Sequence, residues 1–243
     1  MLKKLLHKEK FNPGFLGIFI NPFFFARKAL YNGIKKYASQ IDGNILDVGC
    51  GKKPYKNLFN YKSYLGLDIE NEGHDHTNED IDVYYDGNKF PFSDEQFESI
   101  IANQVFEHVF NPNDFLKECY RVLKNDGKLL LTVPFVWDEH EQPFDFGRYS
   151  SYGIISILKE HNFEVLRHDK TLNDFRSVIE ILILYIYKIT RVKNKYLNYI
   201  TSVILISPLN ILGLLLYKLL PKNNDLFIDN IILCKKITTY DRI

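Results

Sequence analysis

The chain has 243 residues, a hydrophobic content of 46% and a formal net charge of +1 at pH 7. This length and composition suffice for one globular domain with an elaboration. The near-zero charge gives no electrostatic basis for binding DNA or RNA, so we exclude nucleic acid as a partner. The cysteines (Cys50, Cys119 and Cys234) show neither CxxC spacing nor an even-numbered framework, and the basic N-terminus has no uninterrupted apolar stretch. We therefore expect a cytoplasmic protein without a secretory signal.

Strand and helix patterns alternate along the first part of the chain. Apolar β runs bounded by turn residues are separated by amphipathic stretches, and Asn-Pro pairs mark the starts of helices. The predicted elements are a helix over 21–39, strands over 44–48, 64–68 and 97–102, a helix from Asn111 that ends at Asp126-Gly127, and a strand over 128–133. This alternation predicts a doubly wound, mostly parallel α/β sheet with helices on both faces.

The pattern changes after residue 134. A loop rich in proline and aromatic residues precedes a helix over 152–161, capped by Ser150 or Ser151, and a strand near 163–167. Residues 176–220 are strongly apolar and predict helices, and residues 226–234 predict a last strand. We expect four segments: a basic helical lead-in (1–40), a ligand-binding core (41–170), an apolar helical insertion before the last strand (171–224), and that strand with the tail (225–243).

A glycine turn follows the first strand, and an acid ends the second. Gly49 and Gly51 lie where backbone can approach a ligand closely, and Asp68 is placed to accept hydrogen bonds from both hydroxyls of a ribose. Pro54 occupies the position of the third glycine that a dinucleotide needs, and the sequence has no GxxxxGK[ST] motif. The pattern favours an adenosine ligand without phosphate, S-adenosylmethionine, with Asp47 placed to bind its ammonium group.

Five segments, in this order, resemble the small-molecule class I S-adenosylmethionine-dependent methyltransferases, whose fold is Rossmann-like. These segments, within a resemblance that covers residues 21–170, are ILDVGCG (45–51), YLGLDIE (64–70), FPFSDEQFESI (90–100), QVFEHV (104–109) and FLKECYRVLKNDGKLLLTVPF (115–135). One departure is Lys53, where many members have a third glycine.

The resemblance implies a set of cofactor contacts. Asp47, Gly49 and Gly51 would hold the methionine moiety and Asp68 the ribose. Asp86-Gly87 would lie beside the adenine, and Asn103-Gln104 under the methionine end. The cofactor-binding candidates are therefore Asp47, Gly49, Cys50, Gly51, Asp68, Ile69, Asp86, Gly87, Asn103 and Gln104.

Methyl transfer from a sulfonium depends mainly on positioning, but an oxygen acceptor must also lose a proton. The candidates for a base are His108, His140 and Asp145, in loops that leave neighbouring strands at one edge of the sheet. We favour His140. His108 as a structural cap of its helix is an equal alternative, and none of the spacings in the sequence predicts a metal site.

A narrower resemblance concerns the loop after the VPF strand. His140, Pro143, Asp145 and Arg148 form an H…P.D..R pattern that is similar to a subset of the family associated with bacterial surface-glycan synthesis, as are the segments NPFFFARKAL and GKKPY. In this interpretation Arg148 and Tyr149 contact the substrate. An ion pair between Asp145 and Arg148 that only braces the loop is an equal alternative.

The apolar insertion contains no acid from Ile181 to Asn224, but six basic residues. Residues 196–217 carry no charge and are long enough to span a bilayer of about 30 Å. Pro208 and Asn210 interrupt this stretch, however, and the last strand must return to the same sheet. We therefore prefer a helical hairpin over 176–220 that lies in the interface of an anionic membrane, with a homodimer interface or a plain cover of the core as alternatives.

These features together predict an enzyme that methylates a hydroxyl group of a glycan or lipid-linked sugar at the cytoplasmic face of the membrane. One alternative is a methyltransferase that acts on a lipid or quinone-type acceptor. Another is a non-catalytic protein that binds S-adenosylmethionine.

Overall fold

The computed structural model describes residues 2–69 and 80–238. Glu70 of the YLGLDIE segment and the end of the predicted tail lie outside these residues. The chain divides into two compact units, which we treat separately. The apolar unit comprises residues 1–33, 136–138 and 170–229, and the core unit comprises residues 34–135, 139–169 and 230–243. The four-segment division expected from the sequence stays a prediction.

The described strands form one seven-stranded sheet in the order β3-β2-β1-β4-β5-β7-β6. Pairing is parallel from β3 through β5, and the order reverses between β1 and β4, where open α/β sheets bind their ligands. This confirms the predicted doubly wound, mostly parallel α/β sheet. The strands are β1 (Asn44–Val48), β2 (Ser63–Ile69), β3 (Val83–Tyr85), β4 (Phe97–Asn103), β5 (Leu123–Pro134), β6 (Phe163–Lys170) and β7 (Asp229–Lys236).

The helices follow the predicted periodicity, and short 3₁₀ turns occur at 38–40, 56–58 and 106–108. Ser150 is the cap predicted for the helix after the loop, since its Oγ accepts a hydrogen bond of 3.2 Å from the backbone N–H of Gly153. The described helices are α1 (Leu2–Phe11), α2 (Gly17–Ile20), α3 (Phe24–Tyr37), α4 (Pro112–Val122), α5 (Ser151–Glu160), α6 (Arg176–Thr190), α7 (Lys195–Thr201) and α8 (Ser207–Leu216).

One local prediction in the core unit was wrong, and one strand was not predicted. The helix predicted to end at Asp126-Gly127 ends at Val122, because Leu123 already pairs with Phe97 and starts β5. A register shift follows before Ser99 pairs with Lys128, so strand pairing continues across the turn signal. The short strand β3 had no periodic signal in the sequence, since it is three residues long and partly exposed.

The core unit buries a continuous apolar cluster on the sheet. Side chains of β1, β4 and β5, such as Leu46, Ile100 and Leu131, are fully buried against one face of α4. The predicted face of α4, Phe115, Cys119 and Val122, is buried in this cluster. This packing fixes the strands, and therefore fixes the loops that leave their carboxyl ends.

The apolar unit has a core of its own, in which α6 and α8 pack on the start of α3. Pro208 does not end the helix, contrary to the sequence prediction. A π-helical turn at Ser202–Ile206 joins α7 to α8, so that Lys195–Leu216 is one continuous helix. An irregular turn before a proline accommodates the missing N–H and the ring. Asn210, the second predicted breaker, is buried and donates a hydrogen bond of 2.8 Å to the carbonyl of Ile18.

One carboxylate lies inside the apolar unit. Glu180 of α6 is fully buried, and burial raises its pKa to about 8. The backbone N–H groups of Phe25 and Ala26, in the first turn of α3, oppose this rise. The first N–H groups of a helix have no partner within the helix and favour negative charge, so Glu180 faces the end of α3 best suited to it.

The face of α6 opposite Glu180 is apolar and exposed. Val178, Leu182, Tyr185 and Ile189 recur at helical spacing and are 43–64% exposed. The Lys195–Leu216 helix exposes a similar set, which includes Ile204 and Leu215. By length and composition alone this helix is also long enough to cross a membrane, and 28% of its most apolar window is buried.

Gly213 permits the close approach of three elements in the apolar unit. A Cβ atom at this position would lie 2.7 Å from Cζ of Phe25 and 3.4 Å from Cγ2 of Ile179. We expect Gly213→Val to lower the free energy of unfolding of this unit by about 1–3 kcal/mol, because overpacking outweighs the gain in helix propensity. Urea unfolding followed by the fluorescence of Trp137, the single tryptophan, measures this change. Leu212→Val, at an exposed position of the same helix, is the control and should leave the midpoint nearly unchanged.

Candidate cofactor and acceptor site

The glycine turn after β1 requires glycine for two reasons. Gly49 and Gly51 have φ angles of +65° and +46°, in the left-handed region that glycine adopts without strain. A Cβ atom at Gly49 would also lie 2.2 Å from Cγ2 of Val105, which follows β4. The turn therefore lies directly against the end of the neighbouring strand. Backbone of this kind allows close contact with a ligand.

Asp68, the predicted ribose acid, lies at the end of β2. Its Oδ2 accepts a hydrogen bond of 2.9 Å from the backbone N–H of Gly51, and its Oδ1 accepts one of 2.9 Å from that of Ile69. The carboxylate thus connects the glycine turn to the second strand. Each carboxylate oxygen has further acceptor capacity for ribose hydroxyls.

The structure explains how Lys53 can occupy a position where many family members have glycine. Its φ of +46° keeps the left-handed conformation that a glycine would adopt. Its ammonium group forms an ion pair of 2.6 Å with Asp82 and lies 3.5 Å from Asp80, and Asp82 also accepts a hydrogen bond from the backbone N–H of Gly66. Lys53 therefore fixes the turn to the segment that precedes β3. This pairing was not predicted, because β3 was not predicted.

Asp47 is a buried acid at the centre of the turn region. The hydroxyl of Tyr64 donates a hydrogen bond of 2.5 Å to its Oδ2. Burial raises the pKa of Asp47 to about 7, the hydrogen bond from Tyr64 opposes that rise, and the negative charge of Asp68 adds to it. An ammonium ligand would favour the ionised form. The side chain of Cys50, by contrast, packs against Gly66, and burial raises the pKa of its thiol, which disfavours the nucleophilic thiolate.

The remaining cofactor candidates also lie at this edge of the sheet. Gly87 has a φ of +85° and lies against the side chain of Ile69, next to the exposed Asp86. Asn103 ends β4, where its Oδ1 accepts a hydrogen bond of 2.7 Å from Thr132. Gln104 has a φ of +55°, and its backbone N–H donates to the Thr132 carbonyl. The structure thus places these residues near the carboxyl ends of the strands, and their contacts with the cofactor stay predictions.

The predicted catalytic residues come together in the loops after β4 and β5. The rings of His108 and His140 lie 4.7 Å apart, centroid to centroid. Nδ1 of His140 is 3.3 Å from Oδ2 of Asp145, and the same oxygen accepts a hydrogen bond of 2.9 Å from the backbone N–H of His140. Burial lowers the pKa of His108, and the Phe144 carbonyl, which contacts its ring, opposes that change. The preference for His140 as a base stays a prediction.

Arg148 forms a two-pronged ion pair with Asp145. Its Nη1 and Nη2 lie 2.5 and 2.6 Å from the two carboxylate oxygens. This contact is the bracing pair predicted as one of two alternatives, and it holds the carboxylate against His140. Contact of Arg148 with a substrate stays a prediction. Tyr149 is partly buried. Burial raises the pKa of its phenol, and the negative charge of Glu107 raises it further.

Glu107 is the residue that sequence reasoning missed. Its side chain is fully buried, directly before His108 in the 3₁₀ turn at 106–108. Its backbone carbonyl accepts hydrogen bonds from the N–H groups of Phe146 and Gly147, which tie the two loops together. A signal was available: an acid next to a histidine, within a segment of otherwise apolar residues.

Residues 46–131 match the family model described as "Methyltransferase domain". An uncharacterised protein of Methanocaldococcus jannaschii, MJ1123, is 28% identical over 143 residues, which cover 54% of this chain and 69% of that protein. A S-adenosylmethionine-dependent methyltransferase of Thermotoga maritima, described as a possible histamine N-methyltransferase, has a TM-score of 0.56 at 14% identity, over 88% of this chain and 91% of its own. Phosphoethanolamine N-methyltransferase 2 of Haemonchus contortus, in complex with S-adenosyl-L-methionine, has a TM-score of 0.53 at 16% identity. The match covers 98% of this chain and 58% of that protein.

At these identities the two solved structures show the fold. The family match indicates that the reaction is methyl transfer. The matched segment contains the glycine turn, Asp68 and the end of β4. The chain therefore carries a methyltransferase domain. The enzyme is a S-adenosylmethionine-dependent methyltransferase, and S-adenosylmethionine is its cofactor.

The raised pKa of Asp47 predicts a pH-dependent affinity for S-adenosylmethionine. The ammonium group needs an ionised carboxylate, so affinity should fall about tenfold per pH unit as the pH drops well below about 7. Tyr64→Phe removes a hydrogen bond that stabilises the ionised form, which should move this transition to higher pH. Calorimetry from about pH 5.5 to 8, on both sides of that pKa, measures the change.

Asp47→Asn is the matched control for this prediction. It should bind about tenfold more weakly or worse near pH 8, because a hydrogen bond between charged groups contributes about 1.5–3 kcal/mol. Its affinity should show no transition near pH 7. A wild-type affinity that stays flat across this range would show that the ammonium group binds elsewhere.

Proposed function

We propose that this enzyme transfers a methyl group to a hydroxyl of a glycan or lipid-linked sugar, at the cytoplasmic face of a membrane. The observation that carries the proposal is the polar cluster His108, His140, Asp145 and Arg148 at the carboxyl ends of β4 and β5. Methylation of a hydroxyl releases a proton, and imidazole groups suit such an acceptor better than a purely apolar pocket would. The narrower sequence resemblance of this loop supports a glycan acceptor.

The fold itself leaves the acceptor open, since neighbours named for phosphoethanolamine and histamine share it. A sugar acceptor is supported by the bidentate Asp145–Arg148 pair, because charged side chains in fixed positions form hydrogen bonds with neighbouring hydroxyls. A quinone-type acceptor would draw its affinity from apolar contacts instead. The two acceptors therefore predict different dependence on Arg148.

The membrane part of the proposal rests on the apolar unit. The exposed apolar stripes of α6 and of the Lys195–Leu216 helix would bury large side chains in lipid, each contributing about 1.5–3 kcal/mol when fully buried. Lys188 is already in an ion pair with Asp138. Five other basic residues are exposed near the ends of the helices and complement an anionic surface: Arg191, Lys193, Lys195, Lys218 and Lys222.

The acceptor prediction is tested with methyl-labelled S-adenosylmethionine. We expect label to appear in lipid-linked saccharides as a base-stable methyl ether, found by mass spectrometry after mild acid releases the glycan. Arg148→Lys keeps the charge but loses the planar fork, so we expect its KM for the acceptor to rise about tenfold or more. Label that enters a quinone fraction at an unchanged rate in Arg148→Lys would replace the sugar acceptor with the lipid one.

The membrane prediction is tested by co-sedimentation with vesicles of phosphatidylglycerol and phosphatidylcholine. Binding should strengthen with phosphatidylglycerol and weaken only partly in about 1 M salt, where charges are screened within about 3 Å but apolar insertion persists. Replacing Ile204, Leu215 and Leu219, which are 62%, 59% and 78% exposed, by serine should reduce binding at least about tenfold.

Tyr152→Ser, at an 85% exposed position of α5, is the control and should leave vesicle binding unchanged. Resistance of the bound protein to alkaline carbonate would indicate a helix that crosses the bilayer. A protein that ignores vesicles, and whose triple serine variant dissociates from a dimer to a monomer, would assign the apolar surface to a second copy of the chain.

A further inference from the structure

The loops after β4 and β5 bring together three groups that ligate metals. One ligand atom each from Glu107, His108 and His140 lies within 4.8 Å of the others. Nε2 of His108 is 3.9 Å from Oε1 of Glu107. In a tetrahedral site with bonds of about 2.0–2.1 Å, neighbouring ligand atoms lie about 3.4 Å apart. The ligand atoms would have to move closer together to reach that geometry.

The contacts of both histidine rings bear on which nitrogen could bind a metal. Nδ1 of His108 lies 2.7 Å from the carbonyl oxygen of Phe144, which can only accept, so Nδ1 carries the proton and Nε2 has the lone pair. Nδ1 of His140 lies 3.3 Å from the carboxylate of Asp145. A histidine that donates its second N–H to a carbonyl or a carboxylate is the usual outer arrangement of a metal ligand.

The charges around Nε2 of His108 call for a positive group. Besides Glu107, the carboxylate of Glu141 lies 3.3 Å from this nitrogen. Three acceptors thus converge on one place: the lone pair of Nε2 and two carboxylates. A divalent cation bound by His108 and Glu107 would also lie near the negative charge of Glu141, which is not one of the three ligands proposed below.

We propose that Glu107, His108 and His140 bind a divalent transition-metal ion, with zinc as the best fit. Two imidazoles and one carboxylate suit zinc and, less tightly, manganese or iron, whereas magnesium and calcium prefer oxygen ligands alone. Three protein ligands leave one coordination position open. Arg148 acts on the site as a positioning residue, because its ion pair holds Asp145 against His140.

The role of the ion in catalysis rests on the proposed function. An acceptor hydroxyl bound at the open position has a lowered pKa and releases its proton to water. The hydroxyl oxygen then forms a bond to the methyl carbon, the carbon–sulfur bond of S-adenosylmethionine breaks, and the sulfur keeps the electron pair. In this mechanism His140 is a ligand, in place of the base that the sequence predicts.

The test is the binding of zinc alone to the full-length protein after treatment with a chelator, by competition with a chromophoric chelator. We expect one zinc ion per chain. His108→Ala and His140→Ala should each abolish this binding or weaken it more than about 100-fold, and Asp145→Asn should weaken it about 10- to 100-fold, as for outer-shell partners of other metal sites. Calorimetry with S-adenosylmethionine should give unchanged affinity in these variants, which shows that the fold is intact.

His161→Ala, which removes a histidine outside the cluster, is the matched control and should bind zinc as the wild type does. Zinc that binds equally in His140→Ala and wild type, or only weakly at several places, overturns the proposal. Methyl transfer at an equal rate in chelator-treated protein overturns the catalytic role. If zinc binds as expected but no hydroxyl acceptor is methylated, the metal site stands and the proposed function fails.

Discussion

The parallel register of β1, β4 and β5 is the constraint on which the site depends. Val48 pairs with Ala102, and Asn103 pairs with Thr132, so the three strands end within about three residues of one another. Parallel strands all point the same way, and their carboxyl-end loops must therefore share one edge of the sheet. Residues separated by tens of positions in the chain, such as Gly49 and His140, reach the same edge through backbone pairing alone.

Much of this arrangement could be read from the sequence, because its signals are local. The apolar run of β1, its glycine turn and the strand-end Asp68 each lie within a few residues of the element that they define. The contacts of Lys53 with Asp82 and of Tyr64 with Asp47 could not be read in this way. They depend on which strands become neighbours, which local sequence patterns do not determine.

The same reasoning explains the errors in the apolar unit and the acceptor loops. Pro208 is a helix breaker by local rules, but a π-helical turn within the same continuous helix accommodates it. The apolar neighbours of Glu107 indicate that it could be buried, but only the structure shows that it is fully buried beside His108. In both cases tertiary packing decides between states that the local sequence leaves open.

Glu180 links α6 to the first turn of α3 within the apolar unit. The backbone N–H groups of that turn oppose the effect of burial on the carboxylate of Glu180. An α6 that entered lipid by itself would have to carry this acid with it, protonated or not. The acid also gives the N-terminal segment a structural role that its basic composition does not reveal.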